Sequence, residues 1–266
     1  MDYLDQLPID GFNHDLFERN KTLLDQGVAP KPYTKTGTTI VGLMYEGGVV
    51  LGADTRATGG SMVLDKMCDK LHMLAPNIFA AGAGTAADLE HVTLNIGYQL
   101  ELLRLYSGRQ SRVITAITLL TEHLFKYGGN IGAYLIVGGV DASGPQLFMI
   151  SADGTYRHHP FHTMGSGSLA AMSMFETEYR DHMTKEEAMQ LAAKAVESGI
   201  FNDLGSGSSV DLVAVDKDGH DHKRTLRNYN HKAYKSTIEY NFPRGVTPVK
   251  KEYPLVITEV SAMDLE

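Results

Sequence analysis

The chain has 266 residues, a formal net charge of −8 and one cysteine. The 43% of hydrophobic and 21% of charged residues are typical of a globular protein with a sizeable core. The negative charge argues against a general nucleic-acid binder, and a single cysteine excludes an internal disulfide framework and favours a reducing compartment. No stretch approaches the roughly 20 apolar residues of a membrane span, and the N-terminus lacks the features of a secretory signal, so we expect no membrane association.

The chain divides into three segments by composition. Residues 1–37 mix acids, Asn, Gly and Pro around one short helical pattern at 15–24, which predicts a leader with little structure. Residues 38–229 carry hydrophobic runs without a linker and are predicted to form one domain. Residues 230–266 have no core pattern and are predicted to form an extended arm that pairs with a neighbouring chain by strand addition.

Within residues 38–229 the predicted elements alternate in blocks of strands and of helices. In chain order they are strands 39–45, 49–55, 63–74 and 78–83, helices 85–106 and 111–127, strands 134–141, 146–151 and 155–163, helices 166–180 and 184–198, and strands 210–215 and 221–229. Hairpins predominate over βαβ units, which predicts mostly antiparallel sheets with the helices in separate layers.

The first candidate for chemistry is Gly37-Thr38-Thr39, just ahead of the first predicted strand. A chain cut between Gly37 and Thr38 begins with a threonine that carries a hydroxyl nucleophile beside a free α-amine. Because that amine has an unperturbed pKa of about 7.7–8.0, it can act as a base near neutral pH. Alone, such a tripeptide is most often a loop that enters a strand.

Three charged residues could support such a nucleophile. Asp54 ends the second predicted strand, Lys70 lies in the next one, and Asp203 precedes a Gly/Ser loop. A lysine beside Thr38 would lower the pKa of the amine by charge repulsion, and Asp54 could hold that lysine in place. The alternative is that each acid caps a turn and the lysine faces solvent.

Two glycine-rich loops each join a predicted strand to a predicted helix, at residues 81–85 and 164–168. Such a loop exposes backbone N–H groups that can bind a developing oxyanion or a phosphate. The chain lacks the GxxxxGK[ST] pattern, and neither loop gives GxGxxG followed by an acid about 20 residues on. A tight connection in a layered α/β protein is the remaining interpretation. No CxxC pair or HExxH pattern is present, so we predict no metal or other cofactor.

Together these features resemble the catalytic beta subunits of the proteasome, which are N-terminal nucleophile hydrolases. The resemblance extends over residues 38–229, and Lys35-Thr36 with the long C-terminal tail fits the trypsin-like type. It implies an α+β fold, a four-layer αββα sandwich of two antiparallel sheets. The segments that carry the resemblance are 37–40, 52–58, 82–88, 138–141, 164–168 and 201–208.

The resemblance also implies a role for each site residue. Thr38 is the nucleophile of a threonine endopeptidase and its amine is the base, after residues 1–37 are removed by autolysis in which Thr38 attacks the Gly37 carbonyl. Gly37 suits this step because it lacks a Cβ and can adopt a strained turn. The supporting roles fall to the Asp54–Lys70 pair, to the Gly84 N–H as oxyanion donor, and to Ser166, Asp203 and Ser206, which support the Thr38 amine and hydroxyl.

A trypsin-like subunit cleaves after basic residues, which requires room and a carboxylate. Gly82 is predicted to leave room at the floor of the pocket, and Glu90 to supply the charge. The alternatives are that Glu90 only complements the helix dipole and that Cys68 is only a small buried hydrophobe. The residues predicted to line the walls or the substrate strand are Ala57, Thr58, Cys68, His72 and Ala86.

The resemblance implies partners and a location as well. These are other alpha and beta proteasome subunits in stacked seven-membered rings, assembly chaperones and polypeptide substrates, in the cytoplasm and nucleus. Three other functions stay open: a subunit of the simpler bacterial ATP-dependent protease, a ring subunit without chemistry, and a nucleotide-binding module. The long leader and tail argue against the first, and Thr38, Asp54 and Lys70 argue against the second.

Overall fold

The computed structural model describes residues 14–27, 36–226, 245 and 251–256. The chain divides into two compact units, Met1–Asn230 and His231–Glu266. In the second unit, the Lys251 Nζ lies 4.8 Å from the centre of the Tyr253 ring. Most of the predicted arm lies outside the described residues. In the leader, helix α1 (His14–Asp25) matches the helix predicted at 15–24.

Two five-stranded sheets, both antiparallel throughout, form the body of the first unit. The strands of the first sheet are β1 (Ile40–Tyr45), β2 (Gly48–Asp54), β10 (Phe161–Met164), β11 (Val210–Asp216) and β12 (Gly219–Lys223). Those of the second are β5 (Leu71–Ala75), β6 (Ile78–Gly84), β7 (Ala133–Asp141), β8 (Gly144–Ile150) and β9 (Tyr156–His158). The first sheet has the strand order β10-β1-β2-β11-β12, and the second has the order β5-β6-β7-β8-β9. A separate two-stranded hairpin pairs β3 (Ala57–Gly59) with β4 (Met62–Asp65).

Four helices cover the outer faces of the two sheets. Helices α2 (Ala86–Ser107) and α3 (Val113–Lys126) pack on the second sheet, and α4 (Ser168–Glu178) and α5 (Lys185–Asn202) pack on the first. A third buried cluster, which includes Ile40 and Phe79, fills the space between the sheets. The four-layer αββα sandwich predicted from the sequence is therefore confirmed. Among the described residues, no helix has the length and apolar content needed to cross a membrane.

Two long predicted strands are each divided in the structure. The strand predicted at 63–74 is β4 and β5, separated by an irregular segment at 66–70 in which Asp65 accepts from Met67 N at 2.8 Å and Asp69 from Leu71 N at 3.1 Å. Such aspartate turns compete with a strand ladder. The run predicted at 155–163 is β9 and β10, which belong to different sheets and flank Pro160, a residue without a ladder N–H.

The last predicted strand is also shorter than expected. Strand β12 ends at Lys223, and Thr225 has φ = +54°, a conformation that ends the ladder. The predicted strand continued to residue 229, and residues 227–229 lie outside the described part of the chain.

His162, in β10, gives the fold an expected dependence on pH. The side chain is 4% exposed, and burial together with the neighbouring charges of His159, His158 and Arg157 lowers its pKa to about 4. Below about pH 6.5 the unfolded chain binds a proton that the folded chain does not. Stability should therefore fall between pH 6.5 and pH 4, by on the order of 1–2 kcal/mol from pH 7 to pH 5.

Chemical denaturation at pH 7 and pH 5 measures this contribution. The loss should be smaller in His162→Gln than in the wild type, whereas His91→Gln, on the exposed side of α2, should leave it unchanged. Equal losses in all three proteins would contradict the assignment to His162.

Candidate active site

The predicted site residues come from the ends of strands and the loops beside them. Thr38 lies two residues before β1, and Asp54 is the last residue of β2. The antiparallel register pairs Ile40 with both Ala53 of β2 and Met164 of β10, and pairs Asp54 with Val210 of β11. One edge of the first sheet therefore gathers the start of β1, the end of β2 and the loops that flank β10 and β11.

Thr38, Lys70 and Asp54 form a continuous buried chain of polar contacts. The Lys70 Nζ lies 3.2 Å from Thr38 Oγ1 and 2.8 Å from Asp54 Oδ1. All three residues are buried, at 4%, 7% and 0% exposure. A buried ammonium between a carboxylate and a hydroxyl donates to both, so Lys70 can stabilise negative charge on Oγ1.

The carboxylate of Asp54 is satisfied by four donors. Oδ1 accepts from Thr39 N at 2.9 Å as well as from Lys70, and Oδ2 accepts from Arg56 N at 3.1 Å and from Gly207 N at 3.0 Å. A buried carboxylate with four donors is held in one orientation. Asp54 therefore holds Lys70 in one position beneath Thr38.

A second hydrogen-bonded group meets Thr38 from the other side. The Thr38 backbone N donates to Ser166 Oγ at 3.0 Å, and Ser166 Oγ donates to Asp203 Oδ2 at 2.6 Å. Ser206 Oγ donates to the same carboxylate oxygen, also at 2.6 Å. The nitrogen that becomes an amine after cleavage is thus already linked to Ser166 and, through it, to Asp203.

Hydrogen bonds set the charge state of Asp203. Burial raises the pKa of this carboxyl, but the hydrogen bonds from Ser166, Ser206 and Gly205 N, with the charge of Lys70, outweigh burial and leave the pKa below its usual value. Asp203 therefore accepts from Ser166 as a carboxylate at neutral pH.

The Thr38 hydroxyl lies against the peptide bond that joins Gly37 to Thr38. Thr38 Oγ1 donates to the Gly37 carbonyl oxygen at 2.7 Å. A Cβ on Gly37 would lie 2.2 Å from the Gly205 Cα, so no larger residue fits there without backbone movement. The φ of Gly37 is outside the left-handed region, so the close approach of the Gly205 backbone is the reason for glycine in this structure.

Gly84 ends β6 beside Thr38. Its φ of +127° favours glycine, and a Cβ there would lie 2.1 Å from the Gly132 oxygen. Its carbonyl accepts from Thr36 Oγ1 at 3.3 Å, and Gly84 and Thr38 border the same two cavities. The oxyanion role of its N–H stays a prediction.

A cleft of about 390 Å³ opens next to Thr38 and Lys70. Glu90 is the fifth residue of α2 and faces this cleft, while Asp88 is the acid of the first helical turn. Thr58, which was also predicted to line the pocket, does not border this cleft; its Oγ1 accepts a hydrogen bond from Gly37 N at 3.3 Å. The other residues predicted for substrate binding all line the cleft: Ala57, Cys68, His72, Gly82, Ala86 and Glu90.

Burial also shifts the pKa values of two side chains that line the cleft. Burial raises the pKa of the Cys68 thiol, which keeps the thiol protonated at neutral pH. It lowers the pKa of His72, an effect that the charges of Asp69 and Glu90 oppose.

Sequence reasoning missed three residues of the site. Thr39 Oγ1 lies 2.7 Å from Ser206 Oγ, the Arg56 guanidinium lies over Gly207 and donates to Leu204 O at 3.1 Å, and Asp69 lines the cleft. Thr39 and Arg56 lie within the segments 37–40 and 52–58 that carry the family resemblance, but neither was assigned a role. No sequence signal distinguished Asp69 from a solvent-exposed acid.

Comparison with known proteins identifies the family and several relatives of this chain. The model of the proteasome subunit family matches residues 34–215. The chain is 52% identical over 245 residues to proteasome subunit beta type-7 of Dictyostelium discoideum, with 91% of each chain covered. It is 49% identical to proteasome subunit beta type-7-B of Arabidopsis thaliana, over 97% of this chain and 96% of the relative. Proteasome subunit beta type-10 of Bos taurus is 42% identical over 97% of each chain.

The family match covers more than half of the chain, and the relatives align over nearly their whole length. The resemblance inferred from the sequence motifs is thereby confirmed. The chain therefore belongs to the proteasome subunit family, among its beta-type members.

Proposed function

We propose that this proteasome beta subunit is a threonine endopeptidase whose nucleophile is the Thr38 hydroxyl. The observation that carries the proposal is the position of Thr38 Oγ1, 3.2 Å from Lys70 Nζ and 2.7 Å from the carbonyl oxygen of Gly37. A hydroxyl that lies between an ammonium group and the carbonyl of the preceding peptide bond is positioned to attack that bond.

The first substrate is the chain itself. Thr38 Oγ1 bonds to the Gly37 carbonyl carbon, the C–N bond breaks, and the hydroxyl proton ends on the Thr38 nitrogen, which leaves an ester. Water then hydrolyses the ester and regenerates the hydroxyl. Removal of residues 1–37 frees an α-amine at a nitrogen that already lies 3.0 Å from Ser166 Oγ.

In the processed enzyme the free amine takes the proton from Oγ1 as the hydroxyl attacks a peptide carbonyl. The Gly84 N–H binds the oxyanion, and the Asp54-bound Lys70 stabilises the charge that develops on Oγ1. The amine returns its proton to the leaving nitrogen, and water releases the acyl group. Ser166, Asp203 and Ser206 orient the amine throughout.

Intact-mass measurement of the chain in purified particles tests this proposal. A mass that starts at Thr38, together with peptidase turnover, is the expected result. A chain that keeps Gly37 joined to Thr38 in particles that still cleave peptides at this subunit would refute it, because a peptide nitrogen is not a base.

Assembly and location form part of the same proposal. The chain works in a stacked particle of seven-membered rings with other alpha and beta subunits, assembles with the aid of chaperones, and degrades polypeptides in the cytoplasm and nucleus. Relatives named as proteasome subunits over nearly the whole chain support the assembly with other proteasome subunits. Residues 230–266 are proposed to reach a neighbouring subunit.

We further propose a preference for cleavage after basic residues. Glu90 faces the cleft next to the nucleophile and lies beyond the first turn of α2, which weakens the alternative of a helix-dipole role. Gly82 lines the same cleft and adds no side chain to it.

Glu90→Gln removes the charge with little change in shape. It should lower kcat/KM for peptides with arginine before the scissile bond by roughly ten-fold, because the arginine would lose its ionic partner in the cleft. Peptides with leucine at that position should be unaffected. Glu122→Gln, on the exposed side of α3, is the matched control. An equal loss for both peptides would indicate a stability effect instead.

A further inference from the structure

Arg224 lies just beyond β12, outside the catalytic group, and its guanidinium joins two other parts of the chain. Nη1 donates to Asp69 Oδ2 at 2.9 Å, Nη2 donates to Met67 O at 3.1 Å, and Nε lies 3.2 Å from Asp211 Oδ2. Two of its nitrogens therefore donate hydrogen bonds to the segment at 67–69, and the third forms an ion pair with Asp211.

Asp211 is the buried ionic partner of Arg224. It is 1% exposed, and its other oxygen accepts from Thr225 N at 2.7 Å. Leu226 N donates to Val210 O at 2.9 Å. Because a buried carboxylate without a cation is costly, Asp211 holds the guanidinium near the start of β11.

The two hydrogen-bond acceptors of Arg224, Asp69 Oδ2 and Met67 O, belong to the irregular segment 66–70, which forms one wall of the cleft. Asp69 lines the cleft, and the next residue, Lys70, contacts Thr38 Oγ1. Asp69 Oδ1 also accepts from Leu71 N, so one carboxylate oxygen caps the turn and the other pairs with Arg224. The cleft thus has two acidic residues on its walls, Asp69 and Glu90, and Arg224 is paired with only one of them.

We propose that Arg224 is a specificity-determining residue, which cancels the charge of Asp69 and leaves Glu90 as the uncompensated acid that faces the substrate. This inference rests on the proposed peptidase activity and deepens it. Arg224 acts through Asp69 and does not itself contact substrate. The preference for basic residues, measured as the arginine-to-leucine ratio of kcat/KM, is consequently lower than it would be with two free carboxylates in the cleft.

The proposal predicts opposite effects from the two halves of the pair. Arg224→Gln frees the Asp69 charge and should raise the arginine-to-leucine ratio of kcat/KM about two- to five-fold at low salt, since the pair is partly exposed. Asp69→Asn leaves the Arg224 charge uncompensated and should lower the ratio by a similar factor. The asparagine oxygen can still cap the turn at Leu71 N.

The experiment uses assembled particles that carry each variant, with peptides that differ only in arginine or leucine before the cleavage site. Arg224→Lys keeps the charge and serves as the matched control. In the double variant Arg224→Gln/Asp69→Asn the ratio should return close to the wild-type value, and 0.5 M salt should shrink every difference because it screens exposed charges.

Two results would overturn the assignment. These are ratios that stay unchanged in both single variants, and a double variant whose ratio is further from wild type than either single variant. Thr38-dependent turnover of the leucine peptide is measured in the same particles. If that turnover is absent from wild-type particles, the proposed peptidase function itself has failed, and the two failures are therefore distinguishable.

Discussion

A Thr38→Ala chain is expected to retain residues 1–37 and to show no peptidase turnover at this subunit. Alanine has no Oγ, so nothing can form the ester that transfers the Gly37 acyl group. The backbone contacts of residue 38 should survive, since the Thr38 N donates to Ser166 Oγ and the Thr38 O accepts from Gly167 N at 3.2 Å without the side chain. Activity should fall by at least about a thousand-fold.

Thr38→Ser is the matched variant for this test. Serine keeps the hydroxyl between Lys70 and the Gly37 carbonyl, so the chain should still be processed and should still turn over peptides. Intact mass reports the processing, and a peptide substrate reports the turnover. Recovery of normal activity and a trimmed N-terminus from Thr38→Ala would contradict the assignment of the nucleophile.

Much of the fold could be predicted because the hydrophobic runs and glycine turns are local signals. The register that brings Thr38, Asp54 and Ser166 to one edge follows from β1 pairing with β2 and β10. Strands β1 and β2 were predicted within one residue of their observed bounds, whereas β10 was predicted only as the end of the longer run at 155–163. Local signals failed where a side chain competes with the backbone ladder. The aspartate turns at 65–67 and 69–71 interrupt a run that reads as one strand.

The parts of the site that escaped prediction depend on distant contacts. Arg56 contacts the loop at Leu204 and Gly207, about 150 positions away in sequence, and Asp69 pairs with Arg224 across 155 positions. No sequence pattern within a short stretch of the chain indicates a partner at such a distance. Resemblance to a family supplied the roles of Ser166 and Ser206, which spacing alone did not.

Lys70→Met is expected to abolish most activity while the chain still folds. Methionine fills the same volume but leaves Thr38 Oγ1 without a cationic donor, so charge that develops on the oxygen is no longer stabilised. Loss of one such donor in a buried site costs about a hundred- to thousand-fold in kcat. Processing at Gly37–Thr38 should slow as well, because it uses the same oxygen.

The stability of the Lys70→Met chain separates catalysis from folding. Asp54 loses its cation but keeps Thr39 N, Arg56 N and Gly207 N as donors. The loss should therefore be about 1–3 kcal/mol, less than the 3–5 kcal/mol typical of a broken buried ion pair. Lys66→Met, in the same irregular segment but exposed, should change neither property. A Lys70→Met chain that unfolds outright would mean that the three backbone donors do not hold the Asp54 charge, and one that keeps full turnover would mean that Thr38 Oγ1 needs no cation beside it.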